Sequence, residues 1–423
     1  MSERINPRRR ILKGLQKVID KGLSREEALE FILEGLPREY CAKWTSLFYG
    51  CLRSYYYLVP WIEEVRLNSG KSKKLPRELH LILVMAAHQY RLMSSFPSYA
   101  VIQESLKLVP RRYLSLRKYI GFLLREIERS KIPIPYNTKL PEWLIKKVPS
   151  VLGEDFSEEL SQRLPEEPSS FFYSTNVLSD ELKAIGQGIY TFENLNFDQR
   201  LALINRGAVF GESMSISMPL RFEGQPKTYL DLCSAPGSKL SVALLAYPKA
   251  QIWAIEKDSS RYDSTLRRLQ QNPATRKELH RLEFINADAL EGMAKIRPES
   301  MDFILLDAPC SALGTLLNHP EFLTLKKSQS FDYLSELQFD LISKALPLLK
   351  SGGQLIYSVC TFRPEECEMI MKRCSREHKN IHFVHDDSIL GETISQCDYG
   401  QYSWGSRGKA NQLFYFQRIL KEE

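Results

Sequence analysis

The sequence predicts two architectures in one chain: an all-α domain, then an α/β domain built on a parallel sheet. Three observations predict this. Residues 8–130 carry apolar positions at helical spacing and show no strand-like alternation. From residue 228 onward, short apolar runs alternate with amphipathic stretches, the pattern of a parallel sheet covered on both faces. Charge is divided along the same line, since residues 1–130 hold 24 Lys+Arg against 13 Asp+Glu, whereas the remaining 34 and 38 leave the second part slightly acidic within a total of +7. A chain of 423 residues is also too long for one ordinary core.

In chain order, the first helices are "ILKGLQKVI" and "SREEALEFILEGL", where Ser24 is the expected N-cap and Glu27 completes a capping box. "EYCAKWTSLFYGCLRSYYYLVPWIEEV" follows, then "ELHLILVMAAHQYRLM", which is apolar almost all round and belongs at the centre of a bundle, with His88 as a packed core residue. "PSYAVIQESLKLV" and "YIGFLLREIERS" complete a domain expected over residues 1–134. The proline-rich "KIPIPYNTKLP" is a connector, and residues 135–224 are expected to form a linker and a small α+β subdomain with short helices over 141–165 and a strand at "FFYSTNVL". In the final domain, 225–423, the strands are "TYLDLC", "QIWAIE", "LEFINAD", "MDFILLDAPC" and "GGQLIYSVC", with "IHFVHDD" and "NQLFYFQRIL" closing the sheet.

Composition excludes several classes. No run approaches the roughly 18 apolar residues of a membrane span, and no apolar stretch follows the basic start, so a cytoplasmic protein without a membrane role is expected. Eight cysteines in a chain of this size are too sparse for a disulfide framework. Cys360, Cys367 and Cys374 recur every seven residues, but no CxxC pair accompanies them, so no metal is expected. The basic first domain suits a polyanionic partner, most simply nucleic acid.

In an open α/β sheet, ligands sit beyond the carboxyl ends of the strands. Every unusual group of residues in the second half lies at such an end. The first is "DLCSAPGSK", where Cys233, Ser234, Ala235, Pro236, Gly237, Ser238 and Lys239 form a small-residue loop entering a helix. The loop is neither GxGxxG nor a Walker sequence, which disfavours dinucleotide and triphosphate cradles. Glu256, nineteen residues after Gly237, is placed to bond a ribose diol, and Asp288 in "NADAL" to accept from an adenine amino group. A nucleoside without phosphates fits this set, and S-adenosylmethionine is the expected cofactor.

The fourth end, "DAPCSALG", puts Asp307 and Cys310 beside the reactive side of that cofactor, and "YSVC" brings Cys360 from the next strand. Two thiols and a carboxylate facing one pocket suit methylation of a pyrimidine carbon. A thiolate adding to C6 of cytosine makes C5 electron-rich enough to take a methyl group, after which the C5 proton is removed and the thiol eliminated. Asp307 is placed to bond the base edge and stabilise the adduct. Spacing alone does not say which cysteine attacks.

"DLCSAPGSK", "DAPCSALG" and "YSVCTFRPEE" resemble the motifs of the Nop/Sun RNA (cytosine-C5) methyltransferases over roughly residues 170–423. "FYGCLRSYYYLVPWIEEV", "LILVMAAHQYRLM", "PSYAVIQESLKLV" and "GFLLREI" are similar, in that order, to the NusB-like RNA-binding domain found in the RsmB (Sun/Fmu) type of that family. The resemblance implies a NusB-like helical domain followed by a Rossmann-like class I S-adenosylmethionine-dependent domain acting on small-subunit ribosomal RNA. It further implies that Cys360 attacks C6, that Cys310 assists product release, and that residues 233–239, Glu256, Asp288 and Asp307 hold the cofactor.

The chain departs from the family pattern in three places. It has Gly237, Ser238, Lys239 where Gly-Gly-Lys is usual, lacks a Gln-Asp pair in "GAVFGESMSIS", and lacks the arginine commonly preceding Asn176. Arg8, Arg9, Arg10, Arg111, Arg112, Arg117 and Lys118 are candidates for RNA contact from clustering, and Asn176 from its motif. The expected partner is ribosomal RNA, bound by a monomer. The competing expectations are a non-catalytic RNA-binding assembly factor on the same scaffold and C5 methylation of another RNA such as tRNA.

Overall fold

The structure is a computed structural model and describes residues 6–70, 75–93, 96–135, 139–164, 170–176, 182–192, 195, 197–325, 331–386, 393–404 and 412–422. Parts of the basic start, of the connector and of the strand expected at "FFYSTNVL" lie outside the described residues. The chain forms two compact units, one of Met1–Leu144, Ser157–Pro165 and His319–Gln329, the other of Ile145–Phe156, Glu166–Asn318 and Ser330–Glu423.

The first unit is helical: α1 (Pro7–Lys21), α2 (Arg25–Leu33), α3 (Arg38–Asn68), α4 (Arg77–Leu92), α5 (Ser98–Leu108) and α6 (Arg117–Arg129). The capping box at α2 is present, with Ser24 Oγ accepting from the Glu27 N–H and the Glu27 carboxylate accepting from the Ser24 N–H. Helix α4 is the central one, as its all-round apolarity requires: it packs on α1, α3, α5 and α6, and most of Leu79–Gln89 is buried. His88 is a core residue whose Nδ1 meets Ser54 Oγ at 3.1 Å. Burial, then the nearby Arg53, pull its pKa down to about 4, so its ring is neutral at physiological pH. Gly50 lies directly under that ring, where a β-carbon would collide with it.

Two short helices follow, α7 (Glu142–Ile145) and α8 (Phe156–Arg163). A four-stranded antiparallel sheet comes next, made of β1 (Ser170–Tyr173), β2 (Lys183–Gly186), β3 (Ile189–Phe192) and β4 (Val209–Gly211) in the order β2-β3-β1-β4, with α9 (Phe197–Asn205) between its last two strands. Only β1 coincides with an expected strand. The β2–β3 hairpin turns through Gln187 and Gly188, both at positive φ, and "GQG" was its only sequence signal.

Among the described residues the large sheet has nine strands: β5 (Thr228–Leu232), β6 (Gln251–Glu256), β7 (Leu282–Asn286), β8 (Met301–Asp307), β9 (Leu349–Val359), β10 (Ile381–Val384), β11 (Thr393–Cys397), β12 (Gly400–Trp404) and β13 (Phe414–Lys421). Strands β7, β6, β5, β8 and β9 run parallel in that spatial order. The sheet is not parallel throughout, because β13 joins β9 antiparallel and then pairs with β12 and β10. The helices are α10 (Ser238–Ala246), α11 (Ser259–Gln271), α12 (Pro273–Glu278), α13 (Ala289–Met293), α14 (Phe322–Leu325), α15 (Asp332–Ala345) and α16 (Glu368–Glu377), of which α14 belongs to the first unit. Tyr229, Leu240, Val242, Ile252, Phe303 and Ile356 anchor the core, and each fully buried apolar side chain contributes about 1.5–3 kcal/mol. After β5 the chain moves one way to β6 and β7, then returns to place β8 and β9 on the other side. The order therefore reverses between β5 and β8, at the carboxyl edge, where such folds bind ligands.

Candidate active site at the carboxyl edge of the large sheet

Strand register sets the site. Leu232 pairs with Ile255 and Leu306, Glu256 with Asn286, and Asp307 with Ser358, so the loops that follow all leave the sheet at one level. Cys233, Glu256, Asp288, Asp307, Cys310 and Cys360 thus come from five neighbouring strand ends.

The loop after β5 is a rigid cradle. Cys233 has φ +62° and Gly237 φ +90°, and a β-carbon on Gly237 would sit 2.6 Å from the Thr265 methyl group, so backbone conformation and space both call for glycine. Ser238, where the family pattern has a second glycine, is the first residue of α10. The loop is held from below and from the side. The Ser234 N–H donates to the Ile255 carbonyl (3.1 Å), and the Ala235 N–H to Glu256 Oε2 (3.0 Å). Arg261 and Arg268 of α11 donate to the carbonyls of Ala235 (2.7 Å) and Pro236 (2.9 Å).

Glu256 is buried, and its Oε1 also accepts from the Asp258 N–H at 3.0 Å. Asp288 caps α13 through the Leu290 N–H (2.9 Å) and pairs with Lys257 at 2.9 Å. The Lys257 hydrogen bond in particular holds the Asp288 carboxyl below its ordinary value. Lys239 turns back across the reversal point, where its ammonium lies 2.6 Å from Asp307 Oδ2.

Asp231 was not anticipated from the sequence. It lies on β5, 1 % exposed, and its Oδ2 has no hydrogen-bond partner among the described residues. Burial, then repulsion from Asp307, push its carboxyl up to about 8, so the fold keeps it largely protonated at neutral pH. An acid within an apolar strand was a readable signal, because a carboxyl inside the run "TYLDLC" can face only the interior or a ligand.

The two candidate thiols are neighbours, with Cys310 Sγ 3.3 Å from Cys360 Sγ although fifty residues separate them in the chain. Their loops are locked to each other. Ser311 Oγ meets Thr361 Oγ1 at 2.8 Å, the Gly314 N–H donates to the Cys360 carbonyl at 3.0 Å, and the Leu413 N–H donates to the Gly314 carbonyl at 2.9 Å. A β-carbon on Gly314 would collide with the Leu413 carbonyl. Beneath them Glu366 is fully buried and accepts from the Ser311 N–H (2.8 Å) and from the Gln338 amide (3.2 Å), while Arg363 lies 3.3 Å from its other oxygen. Gln338 also donates to the Pro309 carbonyl at 2.7 Å. Gln338 escaped the sequence reading, and Gly314, Arg363 and Glu366 were read only as members of the quoted motifs, because the contacts through which they hold the two loops join segments far apart in the chain. The Cys310 thiol is pushed well above its ordinary value, first by its hydrogen bond with Cys360 and then by burial, and Glu366 adds to both. Burial likewise pushes Cys233 up, which leaves a neutral thiol in the cradle.

The candidate RNA-contacting residues divide. Arg8 is half-buried, bonds Gln89 Oε1 at 3.3 Å, and lies over the rings of Trp44 and Phe96. Arg10 donates to the carbonyls of Ile32 and Glu34. Both therefore take part in packing the first unit. Arg9 is exposed and reaches the Lys107 carbonyl, Arg112 is exposed and pairs with Glu78, and Arg111, Arg117 and Lys118 are exposed. Asn176 is exposed at the rim of the small sheet, with its N–H on Ser174 Oγ at 3.1 Å.

The family described as 16S rRNA methyltransferase RsmB/F matches residues 221–415, and the NusB family matches residues 5–129. The chain is 26 % identical to the ribosomal RNA small subunit methyltransferase B of Shewanella oneidensis, with 99 % of each chain covered. It is 25 % identical to the protein of that name from Serratia proteamaculans, with 96 % of each covered. Among solved structures, the crystal structure of PH0851 shares the fold at a TM-score of 0.73 and 22 % identity, covering 99 % of both chains.

Proposed function

Because the chain belongs to the RsmB/F 16S rRNA methyltransferases through its second half and to the NusB family through its first, we propose that it methylates C5 of a cytosine in small-subunit ribosomal RNA, in the cytoplasm, through a covalent cysteine–C6 adduct. S-adenosylmethionine is the cofactor, and its site is the edge from Cys233 to Asp307. The residues fit it. A glycine-dependent cradle without a phosphate-binding sequence, acids at the ends of β6 and β8 and at the start of α13, and an orphaned buried acceptor on Asp231 together suit a nucleoside that also carries a cationic amine. Bound there, S-adenosylmethionine supplies an electrophilic methyl group on a sulfonium.

The observation that carries the reading is the pair of thiols in contact at the edge where Lys239 meets Asp307. One sulfur can add to C6 while the other stands beside the same carbon to serve the elimination. Cys360 is the nucleophile, and Cys310 assists release. The division of roles follows the family resemblance, and a negative charge at Cys360 is among those that raise the affinity of Lys239 for its proton. Asp307, oriented by Lys239, is placed to hydrogen-bond the base edge and stabilise the adduct. The target base must leave its stack to reach a pocket of this kind.

Incubating wild type, Cys360→Ser and Cys310→Ser with labelled S-adenosylmethionine and small-subunit ribosomal RNA tests this directly. Labelled 5-methylcytosine is expected with wild type, none with Cys360→Ser, and an RNA–protein adduct that survives a denaturing gel with Cys310→Ser. RNA binding without methyl transfer by wild type would instead favour an assembly factor, and label on tRNA alone would move the substrate.

A further inference from the structure

We propose that Cys310 donates its S–H to the Cys360 sulfur before substrate binds, so that it activates the nucleophile in addition to assisting release. The inference rests on the assignment of Cys360 as nucleophile. The sulfurs are 3.3 Å apart, a hydrogen-bonding distance in which either atom could be the donor. With Cys360 as the attacking sulfur, the contact makes Cys310 the donor, and the nearest charges are consistent with that direction. On the Cys310 side lies the Glu366 carboxylate, which bonds the N–H of the next residue, Ser311. The Lys239 ammonium at the same edge is itself paired with Asp307.

The surrounding electrostatics agree with this direction. Burial pulls Lys239 down, but Asp307 and, after it, a negative charge at Cys360 outweigh burial and hold the ammonium above its ordinary value. Cys310 is shifted the other way, toward a retained proton, by its bond to Cys360, by burial and by Glu366. Among the described residues, Tyr357 on β9, whose own proton is held by burial, also interacts with Cys310, and the Arg363 guanidinium is bound to Glu366. With Cys360 as the ionised sulfur, Cys310 is the neutral donor, and a hydrogen bond to an ionised acceptor is about twice as strong as a neutral one.

The geometry also explains why the two loops are tied so closely. Ser311 to Thr361 and Gly314 to Cys360 fix the sulfur separation independently of any ligand. When Cys360 bonds to C6 its negative charge is lost, and Cys310 no longer has a charged acceptor. The same thiol is then available for the later elimination.

The test measures the rate of iodoacetamide labelling of Cys360 against pH, by mass spectrometry of its peptide, in the full chain without RNA or cofactor. Wild type, Cys310→Ala, Cys310→Val and Cys310→Ser are compared, and protection of the buried Cys51 and Cys374 reports the fold in the same samples. Removing the donor with Cys310→Ala, or with Cys310→Val where alanine loosens the site, is expected to move the Cys360 midpoint upward by about one pH unit. Cys310→Ser keeps a donor and is expected to stay nearer wild type than either. A midpoint unchanged or lowered in the folded alanine or valine variant overturns the proposal. Because this readout needs no methyl transfer, its failure is distinguishable from failure of the enzymatic assignment.

Discussion

Asp231 carries a carboxyl that the protein buries beside Asp307 and Lys239, and its proton links stability to pH. The unfolded carboxyl ionises near its ordinary 3.8, whereas the folded one holds its proton up to about 8. Between those values the folded state binds the extra proton, so stability contributed at this site is present at low pH and declines as pH rises. Asp231→Asn is therefore expected to flatten the loss of thermal stability between about pH 5 and pH 8, and an unchanged slope in melting scans would count against a protonated Asp231. At the residue scale the sequence was partly legible. Cys310, Cys360, Asp307, Glu256, Asp288 and the 233–239 loop all stand at the strand ends where the motifs placed them. Arg8 and Arg10 were not legible, because a run of arginines does not say which guanidinium will find a ring or a carbonyl to lie against.

At the scale of elements, the parallel pairing of β8 with β9 makes the thiol pair, and the turn through Gly314 holds it. The backbone of Leu413, at the entry to β13, reaches Gly314 where any side chain would intrude. Gly314→Ala is expected to push the Cys310 and Cys360 loops apart, at a cost of about 1–3 kcal/mol in stability. Methyl transfer should then fall about 100-fold in kcat, since displacement of reacting groups by about 1 Å is penalised on that scale. Comparing kcat with thermal unfolding of the folded variant separates the two effects; full kcat with a lowered melting point would confine Gly314 to stability. The alternating strands and helices were legible because parallel strands buried on both faces must be apolar runs. The β2–β3 and β11–β12 hairpins were missed because strands of only four or five residues leave almost no periodic signal.

At the scale of the whole molecule, the charge surplus of residues 1–130 is the feature that bears on RNA, and the structure shows that it is not uniformly available. Arg8, Arg10 and Arg112 are engaged with other groups of the protein, whereas Arg111, Arg117 and Lys118 are exposed around the start of α6. Replacing Arg111, Arg117 and Lys118 together by glutamine is expected to weaken RNA binding without regard to base sequence. It should also reduce the salt dependence of the binding constant by about two to three units of log-log slope. Titration at several salt concentrations measures this, and an unchanged slope would place the RNA elsewhere. By itself the sequence determined the two-part architecture, the strand-end loops and the residues capable of the chemistry, because hydrophobic period and motif spacing are local properties. Only the tertiary structure decided that Cys310 touches Cys360, that Lys239 pairs with Asp307, that the buried Asp231 Oδ2 has no hydrogen-bond partner among the described residues, and which arginines face outward. Those facts depend on register and packing between segments far apart in the chain, where burial and opposing charge, not residue identity alone, set what each group can do.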